Sequence, residues 1–288
     1  MRCGICSGRD NSHARNDTIP AVEISCAFAT STETPDHIVL AEALGYRRAW
    51  CYDSPAVYAD VWMVLALAAA RTERIGLGPA VLVPSLRHPI TNAAAIATLA
   101  QQAPGRVAVV IGTGFTGRVV LGKRPIRWND AREYVRTIKG LLRGDHVEWE
   151  GATIGMIHLP GFVASRPIDV PILLGARKPR GLAVAAELAD GIMTPVPMSK
   201  SLLTDDVPPW RSIGTVLGTV LDDGEDVTSE RVLAAAGPLL AGMFHSTYEN
   251  LGPDAVDALP GGPAWREAVE AFRPRNATSP CTKAISAG

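Results

Sequence analysis

I-G-L-G-P-A-V-L-V-P-S-L-R-H-P, residues Ile75 to Pro89, opens as a run of apolar residues without alternation. Such a run belongs to a strand covered on both faces. Pro84 stops it, and Ser85 to Pro89 read as a short loop into a helix, with Ser85 placed to cap that helix or Pro89 to open its first turn. Helical spacing continues through Ile90, Ala94, Ile96, Ala97 and Leu99. A buried strand whose carboxyl end feeds a helix is the half-unit from which α/β barrels are built.

The same unit recurs on either side. Upstream, Val22 to Phe28 is a first strand, followed by a helix that Thr34-Pro35-Asp36 starts and Gly45 stops. Arg48 to Tyr52 is a second strand ending at Asp53-Ser54-Pro55, with a helix from Trp62 to Ala70. Downstream, Val107 to Ile111 is the fourth strand, Trp128 to Leu142 an amphipathic helix, and His146 to His158 a small hairpin insertion. Val170 to Leu174 is the fifth strand, its helix running from Leu182 to Ala189. Asp190 to Thr194 and Ser212 to Leu221 are the sixth and seventh, before helices from Ser229 through Phe244 and from Trp265 to Phe272. No eighth strand follows, and a barrel closes only when its last strand pairs with its first.

Composition narrows the function. In 288 residues, 47% hydrophobic and 20% charged content is ordinary for a globular chain, and a formal net charge of −1 gives no case for nucleic acid or an acidic membrane. The longest apolar run, Val61 to Ala70, is far too short to span a bilayer, and residues 1–20 lack the apolar centre of a signal peptide. They are expected to form a disordered leader, which leaves the lone Cys3-x-x-Cys6 without a partner pair. Five scattered cysteines suggest reduced thiols and the cytoplasm.

Candidate site residues gather at strand ends. Gly112-Thr113-Gly114, with Gly117 and Arg118 beyond, either brings backbone N–H groups close to an anion or simply turns the chain. Gly175-Ala176-Arg177-Lys178-Pro179 opens a helix whose first turn also holds Arg180. Cations are unfavourable at a helix amino end unless an anion sits there, so this turn is expected to take a phosphate, the alternative being a solvated basic loop. Asp53 is a candidate catalytic residue that orients substrate or bonds a cofactor, or else caps a helix. His88 is a second candidate, as proton donor or as structure; Thr30 is a further pocket residue.

Gly78 to Pro89 with the following A-x-x-A-I-A-T-L resembles the third strand and helix of the bacterial-luciferase-like oxidoreductases, and more narrowly their coenzyme F420-dependent branch. Asp190-Gly191 also fits that family, whereas Arg177-Lys178 stands where it usually has small residues. The resemblance implies a (β/α)8 TIM barrel and a non-prolyl cis peptide at Ala80–Val81 backing the cofactor ring. It further implies Gly112 to Gly114 beside the ring and the turn at Gly175 to Pro179 on the cofactor phosphate. The implied reaction is hydride transfer between F420 and a small-molecule substrate, with a homodimer left open. The alternatives are an FMN-dependent monooxygenase and a non-catalytic remnant.

The resemblance lapses after Phe272. Relatives continue with something like E-R-H-L-A-V-H-E-G-H-L, and one back-translation of Arg275 to Ser286, read one frame over, spells those residues. The expectation is a barrel domain over 21–272, lacking its eighth strand, and an aberrant tail over 273–288, the product of a frameshift or else a naturally divergent end.

Overall fold

The computed structural model describes residues 23–119, 121–195, 211–216 and 218–271. The expected leader at 1–20 and the expected tail at 273–288 lie outside them. One parallel sheet holds β1 (Cys26–Phe28), β2 (Arg48–Cys51), β3 (Gly76–Leu82), β4 (Val109–Ile111), β7 (Ile172–Gly175), β8 (Gly191–Pro195) and β9 (Ser212–Thr215), in that spatial order. The hairpin of β5 (Val147–Trp149) and β6 (Ala152–Ile154) stands apart, and its turn places Glu150 and Gly151 at positive φ, as a tight hairpin turn requires.

Between strands run α1 (Thr34–Ala43), α2 (Val61–Ala69), α3 (Pro89–Gln102), the single turn α4 (Thr116–Val119), α5 (Trp128–Arg143) and α6 (Pro179–Leu188). Local chemistry sets their ends. Asp60 caps α2 by accepting from the N–H groups of Trp62 and Met63. Gly144, at φ 99°, closes α5 in the left-handed conformation that glycine tolerates. Then α7 (Glu230–Leu251), capped by Ser229, leads to α8 (Pro253–Asp257) and α9 (Gly262–Ala271).

Two apolar layers follow from strand alternation. Leu77, Leu82, Val109, Ile111, Ile172 and Leu174 face outward onto Ile38, Leu65, Ile96, Ile138 and Val184 of the helices. Trp50, Ala80, Ala108, Val110 and Leu173 form a separate inner cluster, joined by Val81, Met193 and Ile213. A sheet with helices outside and its own core within is a curled α/β barrel wall. Among the described residues β1 pairs only with β2 and β9 only with β8, so the wall is open there.

Two expectations need correction. The seventh strand stops at Thr215, the last of its residues paired with β8, and Val216 and Val220 are exposed. The C-terminal helix runs on to Leu251, and α8 carries no expected counterpart. Cys26 and Cys51 are free thiols, and burial pushes their pKa values up to about 11 and about 12.

Candidate active site

The carboxyl ends of the strands bring the candidate residues to one face, where active sites of α/β barrels lie. The peptide bond between Ala80 and Val81 is cis, at the position the resemblance implied, and the pairing of β3 with β4 shifts register between Ala80 and Leu82. Val81 is half-buried and stands between two glycines. A Cβ on Gly112 would lie 2.7 Å from Val81 Cγ2, and one on Gly175 would lie 2.8 Å from Val81 Cγ1. Both are closer than real contacts allow, so Val81 fits only because a glycine follows β4 and another ends β7. Gly114, at φ 77°, likewise yields to Val83, whose Cγ1 would be 2.5 Å from an added Cβ.

Next along the wall, Ala176 donates its N–H to the Met193 carbonyl, while Arg177, Lys178 and Pro179 are exposed at the start of α6. Its N-cap residue, Lys178, makes no side-chain cap bond, so the first N–H groups of the helix and the basic residues share one exposed turn. Gly181 keeps the turn close to α5, since a Cβ there would sit 2.5 Å from the Trp128 ring.

Several expected site residues have other work. The Asp53 side chain is 0% exposed; it accepts from Val83 N–H at 3.0 Å and from Arg87 at 2.7 Å. Both carboxylate oxygens are thus committed, which makes Asp53 a brace for the end of β3 and not a group open to substrate. Burial pushes its pKa up, against the opposing pull of Arg87 and Val83. His88 is the N-cap of α3, its Nδ1 accepting from Ile90 N–H, and its ring meets the Trp149 ring edge-on at 6.1 Å. Thr30 donates its hydroxyl to the Ala59 carbonyl at 2.7 Å, tying two loops together. Arg118 donates to the Arg124 carbonyl.

Residues passed over in the sequence matter more here. Arg87 joins Asp53 and Asp60, each at 2.7 Å. Burial alone would lower its pKa, but its bonds to Asp53 and Asp60 hold it above the ordinary arginine value. Burial likewise opposes Asp60, yet Arg87 and the N–H groups of Met63 and Trp62 carry that carboxyl below the usual range. Tyr52, the residue after β2, donates its N–H to the Phe28 carbonyl, and its ring lies tilted against that of Tyr58 with centroids 6.4 Å apart. Phe115, just past the glycines of β4, meets His245 of α7 with ring centroids 6.5 Å apart, a contact no local pattern announces.

A cavity of about 360 Å³ opens at the other end of the sheet, lined by Arg48, Val107, Asp169, Pro171 and Arg211 among others. These residues precede or begin their strands, so that space lies opposite the Val81 seat.

Residues 1–201 match the family described as luciferase-like monooxygenase. An F420-dependent glucose-6-phosphate dehydrogenase from Nakamurella multipartita is 36% identical over 152 residues, covering 50% of this chain and 44% of the relative. A 5,10-methylenetetrahydromethanopterin reductase from Archaeoglobus fulgidus is 32% identical over 162 residues, covering 54% and 47%. The chain thus spans about half the length of these relatives. Among solved structures, the monooxygenase RslO1 from Streptomyces bottropensis superposes with a TM-score of 0.54 at 22% identity, covering 83% of this chain and 82% of that one. At that identity the likeness speaks for the fold.

Proposed function

Because the chain belongs to the luciferase-like monooxygenase family, we propose that it is an oxidoreductase transferring a hydride between coenzyme F420 and a small organic substrate. The observation that carries this reading is the seat at Val81. A half-exposed side chain stands at the carboxyl end of β3, and Gly112, just past β4, and Gly175, at the end of β7, leave it room. A flat tricyclic ring needs such a support: one firm apolar contact under its centre, with backbone on either side.

The residues present fit that group. Ala80 and Val81 back one face of the ring, and Gly112, Thr113 and Gly114 flank it. The uncapped start of α6, from Gly175 to Pro179, offers N–H donors to the phosphate, and Arg177 and Lys178 supply positive charge at the same turn. When bound, the deazaflavin supplies or accepts the hydride, and the protein orients both reactants. The two F420-dependent relatives support this choice. Thr30, Arg118 and Asp53 hold the surrounding loops in place through the bonds described above. A second reading, an FMN-dependent monooxygenase, draws on the family description itself, because the same seat accepts either tricycle.

Titration of the purified chain with F420 and with FMN, followed by absorbance and by thermal unfolding, tests both. A ligand at a hundred times its Kd stabilises the folded chain by about 2.7 kcal/mol, a readily measured rise in midpoint. The expected result is a rise with F420. A rise with FMN alone favours the monooxygenase, and no rise with either overturns both and leaves a non-catalytic remnant.

A further inference from the structure

Behind the end of β3 runs a hydrogen-bonded circuit in which Arg87 is pinned at both ends. Its guanidinium reaches Asp53 and Asp60, and its main-chain carbonyl accepts from the Tyr134 hydroxyl at 3.1 Å. Tyr134 in turn accepts from Asn92 at 2.7 Å, and Asn92 accepts from the Trp62 indole at 2.9 Å. Asp53 uses its other oxygen on the Val83 N–H, two residues beyond the cis bond. The Val83 side chain fills the space that Gly114 leaves open. The circuit therefore joins the ends of β2, β3 and β4 with α2, α3 and α5.

We propose that Arg87 is a positioning residue for the ring seat: by holding Asp53 against the Val83 N–H it fixes where Val81 stands between Gly112 and Gly175. This rests on the functional reading above. The chemistry favours arginine in particular, because a planar fork serves two carboxylates at once while a lysine ammonium offers a single point of charge. Without the fork, Asp53 and Asp60 repel each other, and the buried Asp53 carboxylate has only the Val83 N–H to hold. Arg87 itself touches no substrate in this reading.

The test uses the full chain and two variants, Arg87→Lys and Arg87→Met, with two readouts. Amide exchange over residues 81–87 reports the strand end without any ligand, and F420 affinity with the absorbance maximum of the bound coenzyme reports the seat. In R87M, exchange over 81–87 is expected to quicken about tenfold, with β7 and α6 unchanged, as loss of a charged hydrogen bond predicts. F420 affinity is expected to fall by a similar factor and the absorbance maximum to move, with added guanidinium ion restoring part of both. R87K keeps the charge but not the fork, so its expected shifts go the same way by about threefold while its unfolding midpoint stays near wild type. If R87M does not fold, R87K decides. Wild-type exchange and wild-type F420 affinity in R87K overturn the proposal. If the wild-type chain binds neither F420 nor FMN, the functional reading fails; exchange over 81–87 then still decides whether Arg87 sets the strand end.

Discussion

The two ends of the same sheet are built for different purposes. At the amino end, polar side chains close off backbone groups: Arg106 donates to the carbonyls of Ala69 and Ile75 and to the Thr72 hydroxyl, and Glu42 accepts from the N–H groups of Glu73, Arg74 and Ile75. At the carboxyl end the backbone is left accessible by glycine, one apolar side chain stands up from it, and the charged groups lie behind it. The cavity of about 360 Å³ at the amino end is therefore the weaker guide to chemistry. An end that completes its own hydrogen bonds serves stability, and an end that leaves helix N–H groups exposed is ready for a ligand.

The contrast can be broken most forcefully midway between the ends. A Cβ on Gly78 would lie 1.8 Å from the Ala108 carbonyl oxygen, a backbone atom with nowhere to go. Gly78→Ala should cost about 3 kcal/mol or more, read from urea unfolding, because overpacking against backbone cannot be relieved by a rotamer change. A smaller loss would mean that β3 and β4 can part there.

At the carboxyl end the equivalent clash is with a side chain, so it should be reversible. Gly112→Ala is expected to cost about 1–3 kcal/mol by overpacking against Val81. Combining it with Val81→Ala should return about 1 kcal/mol of that, a coupling expected only for residues in contact. Strictly additive losses would show that the glycine does not exist to accommodate Val81.

Those contacts also mark the limit of what the sequence disclosed. The cis bond at Ala80–Val81 was implied only by the resemblance to a family, whereas the strand-to-helix units and the basic turn at Arg177 were legible, because each is written in consecutive residues with its own turn chemistry. Asp53 was not. Its role depends on Arg87, which arrives from a loop 34 residues later, and a carboxylate at a strand end looks the same whether it faces substrate or a buried guanidinium. Thr30 and Ala59 present the same difficulty at a separation of 29 residues. His88 was open to two readings, proton donor or structure, and its place at the N-cap fits the second, since a polar residue just before a proline that opens a helix stands there.

The smallest expected effect separates the two ends by the sign of their pH dependence. Burial opposes ionisation of Glu42, but its bonds to three backbone N–H groups and the nearby Arg74 carry its pKa below the ordinary glutamate value. A carboxyl lowered in the folded state stabilises above its unfolded pKa and loses that contribution as pH falls through the folded value. The midpoint gap between wild type and Glu42→Gln should therefore be full near neutrality and close on acidification below the ordinary carboxylate range. Asp53 is raised by burial, so its ionised form is the less favoured one in the folded chain, and acidification through its folded pKa toward the ordinary aspartate value adds stability. Asp53→Asn should remove that gain, so thermal midpoints of the two variants against wild type must drift in opposite directions over the same acidic window. Parallel drifts would mean that Asp53 is held chiefly by its charge partner and not by desolvation, and the brace at the end of β3 would then resemble the surface closures of the amino end.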